Sequence, residues 1–163
     1  MLNQLLDHLF SKIHEKDKSR EFTQKICEIS TSTPATVLMY HGSGYHASKV
    51  LKGQGQFSIS NPEGGVLWLV DSLEDARDFS QLWDSDDPEI YLTQVKLQNP
   101  VVIDYHGYEY DPGYVGELLR SAHKKGYDSV VFQNIRNFDY SLPVTVVGVF
   151  DGEAQIVGAG QHA

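Results

Sequence analysis

Cysteine is nearly absent from this chain, since Cys27 is the only one among 163 residues. A lone cysteine can form no internal disulfide and lacks the partners that a zinc finger requires, which fits a reducing compartment. Cys27 itself lies in a stretch with helical spacing, where a core position is the expected role. The sequence therefore excludes a disulfide scaffold and predicts a cytoplasmic protein.

Basic residues and long apolar runs are also scarce. The chain has 13 Lys and Arg against 22 Asp and Glu, a net charge of −9, which disfavours nucleic acid as a partner because affinity for phosphates comes from Lys and Arg. No apolar run approaches the roughly 18 to 20 residues that cross a bilayer. The spacing of His41, His46 and Asp71 matches no metal-ligand pattern. We therefore expect no membrane span and no metal.

Apolar residues are abundant enough for one packed domain, at 40% of the chain with nine Tyr and seven Phe. Leu2, Leu5, Leu9 and Ile13 recur at the spacing of an amphipathic helix. We predict one or two helices up to about residue 29, forming an N-terminal helical segment over 1–34 that packs on or beside a domain spanning 35–163.

The remainder alternates between short strands and a few helices. Thr36 to Tyr40 reads as a strand that enters a glycine-containing loop at His41-Gly42-Ser43-Gly44. Two helices are predicted, Ser72 to Trp83 with Ser72 as N-cap, and Tyr114 to Lys125 with Gly126 as its left-handed cap. The other predicted strands are Val66–Val70, Ile90–Leu97, Pro100–Asp104, Asp128–Phe132 and Val144–Phe150, with a short apolar tail at Ile156–Val157 and a polar loop over 133–143.

Five or six strands that do not alternate strictly with helices indicate an α+β fold with a split or two-part sheet. No Rossmann or Walker phosphate loop is present. The fold class expected is therefore α+β, with a mixed or antiparallel sheet and flanking helices.

Four segments in a fixed order resemble a known family. They are Tyr40-His41-Gly42-Ser43, Gly65 to Asp71, Asn99 to Asp104 and Lys125 to Phe132, followed by the strand that ends at Phe150-Asp151. This chain resembles small bacterial and phage ADP-ribosyltransferase-like domains, including anti-CRISPR and polyvalent-protein members. The resemblance implies the split-sheet ADP-ribosyltransferase fold and NAD as the substrate.

The resemblance also implies an NAD site. His41 matches the histidine that holds the NAD ribose, and an imidazole can hydrogen-bond a ribose hydroxyl. Gly42 would let its backbone approach the nicotinamide amide without a Cβ clash. Trp68 and Phe79 could stack on the nicotinamide ring or belong to the core. The expected NAD-binding residues are Tyr40, His41, Gly42, Ser43, Trp68 and Phe79.

The third motif leads into Gln133-Asn134, where the family has an acidic residue. A carboxylate can stabilise the oxocarbenium-like ribosyl centre, whereas an amide can only hydrogen-bond. Gln133 or Asn134 could orient the ribose hydroxyls, and Asp71 or Glu109 could restore the charge. The catalytic candidates are thus His41 together with these residues.

The activity implied is NAD-dependent mono-ADP-ribosyl transfer, a glycosyltransferase reaction, to a macromolecular target that is expected to be a protein. Such a protein would act as an effector, toxin or anti-defence protein in the cytoplasm of a bacterium, or of a host if delivered, and could have a partner or inhibitor protein. The loops 105–113 and 134–142 are predicted to meet the target. The alternative is a catalytically inactive module of the same fold that binds a partner through its acidic surface.

Overall fold

The computed structural model describes residues 29–31, 34–43, 57–82, 88–138 and 140–162. The predicted N-terminal helices, Cys27, His46 and Asp139 lie outside the described residues. No described helix is long and apolar enough to cross a membrane.

The described chain is α+β, with eight strands in one mixed sheet. The strands are β1 (Ile29–Thr31), β2 (Ala35–Ser43), β3 (Leu67–Val70), β4 (Glu89–Leu97), β5 (Pro100–Asp104), β6 (Ser129–Ile135), β7 (Val144–Val149) and β8 (Ile156–Gln161). The helices are α1 (Leu73–Gln81), α2 (Pro112–Lys124) and α3 (Gly152–Gln155). The strand order is β1-β5-β6-β7-β3-β2-β4-β8, and all neighbours are antiparallel except the β5–β6 pair.

The hydrophobic core lies on both faces of this sheet. On one face, helix α2 packs its Val115, Leu118 and Leu119 against strand residues such as Ile103 and Phe132, all of them buried. A second cluster on β2, β3, β4 and β7 includes Met39, Leu67, Val95 and Val147. Alternating burial along β4, from Thr93 to Leu97, is the period-two pattern of a strand with one solvated face.

Both long helices begin at side-chain caps. Ser72 accepts a hydrogen bond from the backbone N–H of Asp75, and Asp111 accepts one from Tyr114; such caps satisfy otherwise unpaired N–H groups in the first turn. The N-cap predicted at Ser72 is confirmed, as is the left-handed Gly126, with φ of 83°. Helix α2 starts two residues earlier than predicted because Pro112 fits the first helical position.

Four expectations about local structure are wrong. The end of the predicted N-terminal helical segment, Ile29–Thr31, is strand β1, which pairs with β5. The predicted loop at His41–Ser43 is the end of strand β2, since each of these residues pairs with β4. The polar loop starts later than residue 133, because β6 continues through an irregularity to Ile135. The tail at Ile156–Val157 is the start of β8, which pairs with β4. The described sheet therefore has more strands than the five or six expected.

Candidate functional site

The sheet is split between β2 and β3. These two strands pair at one position, Tyr40 with Val70, whereas β2 pairs with β4 from Ala35 to Ser43. Continued antiparallel pairing would set Gly42 opposite Trp68. Instead, the carbonyl oxygen of Trp68 lies 2.8 Å from Nδ1 of the His41 ring, so a side chain takes the place of the next ladder hydrogen bond.

A cleft of about 430 Å³ opens at this split, within the roughly 300 to 1,000 Å³ of typical small-molecule sites. Its lining comes from strands β2, β3, β6 and β7, from helices α1 and α2, and from the segments that follow or precede them. The lining residues are Tyr40, His41, Gly42, Ser43, Trp68, Leu69, Val70, Phe79, Leu82, Tyr110, Val115, Phe132, Ile135, Asn137 and Val146.

His41 is a buried polar residue of this cleft, with 6% of its surface exposed. A carbonyl oxygen only accepts hydrogen bonds, so the contact with Trp68 places the proton on Nδ1. Burial lowers the pKa of His41 below its ordinary value of 6.5, and the Trp68 hydrogen bond offsets only part of this effect. Among the described residues, the buried Nε2 has no hydrogen-bond partner. His41 is therefore neutral, and its Nε2 is a buried hydrogen-bond acceptor.

Gly42 is required by the packing of α1 on β2. A Cβ at this position would overlap the carbonyl oxygen of Ala76 in α1. The sequence interpretation assigned the missing side chain to close approach by a ligand, but the space that a Cβ would need is occupied by the helix. Gly42 thus brings α1 close to β2, and α1 then contributes Phe79 to the cleft.

All the expected NAD-binding residues line this cleft: Tyr40, His41, Gly42, Ser43, Trp68 and Phe79. The indole N–H of Trp68 donates to the backbone oxygen of Glu63, 3.0 Å away, which fixes the ring plane. The Phe79 ring lies 5.2 Å from that of Phe138. Both aromatic residues therefore belong to the packed wall and contribute surface to the cleft.

The other catalytic candidates, Asp71, Glu109, Gln133 and Asn134, are not among the lining residues. Asp71 accepts a hydrogen bond from the Thr145 backbone N–H at 3.0 Å. Glu109 forms an ion pair with Arg136 at 3.3 Å and is half exposed. The Asp71 contact connects the end of β3 to β7. The Glu109 contact connects its loop to Arg136, directly after β6.

Gln133 and Asn134 lie at the irregularity in β6, with exposed side chains. Asn134 has a left-handed φ of 53°, and its Nδ2 donates to Asp104 at 3.0 Å. Desolvation acts to raise the pKa of Asp104, but hydrogen bonds from Asn134 and the His106 backbone outweigh it and hold that pKa below 3.8. The Asn134 side chain is thus engaged at the end of β5.

Among the lining residues that the sequence did not predict, two carry polar side-chain groups, Tyr110 and Asn137. The Tyr110 hydroxyl donates to the carboxylate of Glu63. Burial raises the pKa of Glu63, and the nearby charge of Asp111 adds to this effect, while the charge of Arg120 offsets part of it. Asn137 donates through Nδ2 to Asp75 at 2.6 Å. Both residues belong to the loops predicted to face the target, but no local pattern places them in the cleft.

Similarity to known proteins is limited to the fold level. No protein-family model matches the chain, and no curated protein matches it. Among solved structures, the chain is similar to one in the crystal structure of the M. tuberculosis MbcT-MbcA toxin-antitoxin complex, with 11% identity, a TM-score of 0.47, and coverage of 98% of this chain and 92% of that one. At such identity and TM-score, what the cleft binds has to be derived from its own residues.

Proposed function

We propose that this chain is an NAD-dependent mono-ADP-ribosyltransferase that binds the nicotinamide riboside end of NAD in the cleft at the split of the sheet. The observation that supports this most is the buried, neutral His41, whose Nε2 has no partner among the described residues. A buried acceptor without a partner costs about 1 to 3 kcal/mol. A ribose hydroxyl donating to Nε2 would recover this energy.

The walls of the cleft suit the nicotinamide ring that is attached to this ribose. Tyr40, Trp68 and Phe79 supply aromatic surface, against which a flat ring can pack. Nicotinamide departs when the bond between its ring nitrogen and ribose C1′ breaks, and the bonding electrons leave with it. The acceptor atom of the target then bonds to C1′ and loses its proton. An apolar wall favours the neutral leaving group over the ring cation.

A carboxylate can act on this reaction from behind the lining. Tyr110 reaches the cleft and its hydroxyl donates to Glu63, so the charge of Glu63 increases the electron density on the tyrosine oxygen. This arrangement could stabilise the positive ribosyl centre without a carboxylate in direct contact. The target is proposed to be a protein, in keeping with the net charge of −9, and a partner or inhibitor protein remains a prediction.

A catalytically inactive binding module is the second candidate. The observation in its favour is that no Asp or Glu is among the described residues that line the cleft. The two functions differ in turnover of NAD, because the inactive module acts only by binding a partner protein through its acidic surface.

The test is incubation of the purified chain with labelled NAD and a bacterial lysate. Wild type should label a protein and release nicotinamide, and His41→Ala should do neither. His123→Ala is the matched control, since His123 is exposed on α2 and lies outside the cleft lining. Absence of both labelling and nicotinamide release would favour the inactive module, and absence of NAD binding would refute the transferase.

A further inference from the structure

Asp75 is a buried carboxylate directly behind the cleft. It lies in the first turn of α1 with 4% of its surface exposed. Both of its oxygens accept hydrogen bonds, Oδ1 from the Ser72 hydroxyl at 3.1 Å and Oδ2 from Asn137 Nδ2 at 2.6 Å. Asp75 does not line the cleft, but Asn137 does.

The contact with Asp75 fixes the orientation of the Asn137 amide. A carboxylate accepts and cannot donate, so the NH2 group of Asn137 has to point toward Asp75. The group that Asn137 can then present elsewhere is its carbonyl oxygen, an acceptor. His41 is oriented in the same way, because the Trp68 carbonyl holds Nδ1–H and leaves Nε2 as an acceptor.

Two lining residues thus present acceptors that are each oriented by a protein group behind them, His41 through Nε2 and Asn137 through its carbonyl oxygen. With Nε2 assigned to the ribose, a ligand group that contacts the Asn137 oxygen has to donate a hydrogen bond, and a negative charge beside that oxygen is unfavourable. A carboxylate has no proton to donate, loses its hydration in an apolar cleft and is repelled by the nearby charge of Asp75. A primary carboxamide supplies two N–H donors and is neutral.

We propose that Asn137, positioned by Asp75, makes the cleft select a flat ring bearing a primary carboxamide over the same ring bearing a carboxylate. For NAD as the ligand, this inference rests on the proposed function and predicts that nicotinamide is accepted while nicotinate is rejected. Asn137 is the specificity determinant, and Asp75 is its positioning residue.

The experiment measures binding of benzamide, benzoate, nicotinamide and nicotinate to the full chain by ligand-observed NMR titration. Wild type should bind each amide about ten-fold or more tightly than its acid, the equivalent of about one lost hydrogen bond to a buried group. Asn137→Ala should reduce this preference to below about three-fold. Asn99→Ala is the matched control, because Asn99 is an exposed asparagine outside the cleft lining.

Asp75→Asn tests whether Asp75 sets the orientation of the Asn137 amide. An amide at position 75 can donate to the Asn137 carbonyl, so the Asn137 amide can turn and present its NH2 group to the ligand. The preference for amide over acid should then shrink or reverse, which loss of packing alone would not produce. Thermal denaturation establishes that this variant folds, and Asn137→Ala tests the inference independently if it does not.

Parallel titration with NAD separates the two proposals. If wild type binds NAD but its amide preference is unaffected by Asn137→Ala, the selectivity inference is wrong and the proposed function stands. If the preference for amide over acid depends on Asn137 but NAD does not bind, the proposed function is wrong and the selectivity inference stands. Wild type that binds none of the amides would overturn the selectivity inference, and the NAD titration would decide the proposed function separately.

Discussion

The neutral state of His41 can be measured through the pH dependence of stability. Because burial lowers the pKa of His41 in the folded chain below its ordinary 6.5, the unfolded chain takes up a proton that the folded chain does not. The free energy of unfolding should therefore fall as the pH falls below about 6.5. His41→Gln replaces the titrating ring with a neutral side chain and should remove this contribution.

The size of the effect follows from the unfolded pKa. While the folded ring stays neutral, the contribution changes by at most about 1.4 kcal/mol between pH 7.5 and pH 5.5. For a chain of this length that corresponds to a shift of about 3 to 6 °C in Tm. All other groups are the same in both proteins, so the difference between wild type and variant isolates position 41.

Urea unfolding at the two pH values is the assay. On acidification, the free energy of unfolding of wild type should fall by up to about 1.4 kcal/mol more than that of His41→Gln. If the two proteins lose the same amount, folding does not lower the pKa of His41, and the ring is not held neutral in the cleft. The buried, neutral acceptor on which the proposed ribose contact depends would then be refuted.

Three further predictions concern the surroundings of the cleft. Gly42→Ala should lower the free energy of unfolding, measured in urea, by about 1 to 3 kcal/mol, because the added methyl group would overlap the Ala76 carbonyl. Gly160→Ala should lower it little, because the space around Gly160 is open. Equal losses in the two variants would contradict the packing argument. Asn134→Val should be destabilised by about 1 to 2 kcal/mol more than Asn134→Gly, because valine tolerates the left-handed φ of 53° poorly; similar unfolding midpoints would count against it. Tyr110→Phe should lower kcat for NAD turnover about ten-fold or more with little change in Kd, since it loses the hydroxyl held by the carboxylate behind it; an unchanged kcat would remove Tyr110 from the reaction.

Local patterns predicted most of the strands and both long helices. The apolar runs at Val101–Ile103 and Val146–Val149 are buried strands, and the Ser72 and Gly126 signals mark helix ends as predicted. Strand β8 was missed beyond Val157 because Gly158, Ala159 and Gly160 have low strand propensity. It forms through pairing with β4, a long-range interaction that no local window contains.

The residues of the cleft were likewise predicted only in part from the sequence. His41 and Trp68 could be identified from motifs, since each lies in a strand that a short pattern marks. Asn137 and Tyr110 could not, because each enters the cleft from an irregular loop whose course depends on how distant strands pair. The Ser72 cap places Asp75 in the first turn of a helix, but the contact of Asp75 with Asn137 at 2.6 Å joins residues far apart in the sequence.

Calorimetric titration of NAD into the full-length chain tests most directly whether the split of the sheet is an NAD site. Wild type and His123→Ala should bind NAD with the same affinity, and His41→Ala should bind it about ten-fold or more weakly, because the ribose hydroxyl loses its acceptor. Equal affinity in all three proteins would place NAD elsewhere on the chain, and no heat of binding in wild type would contradict the proposed function outright.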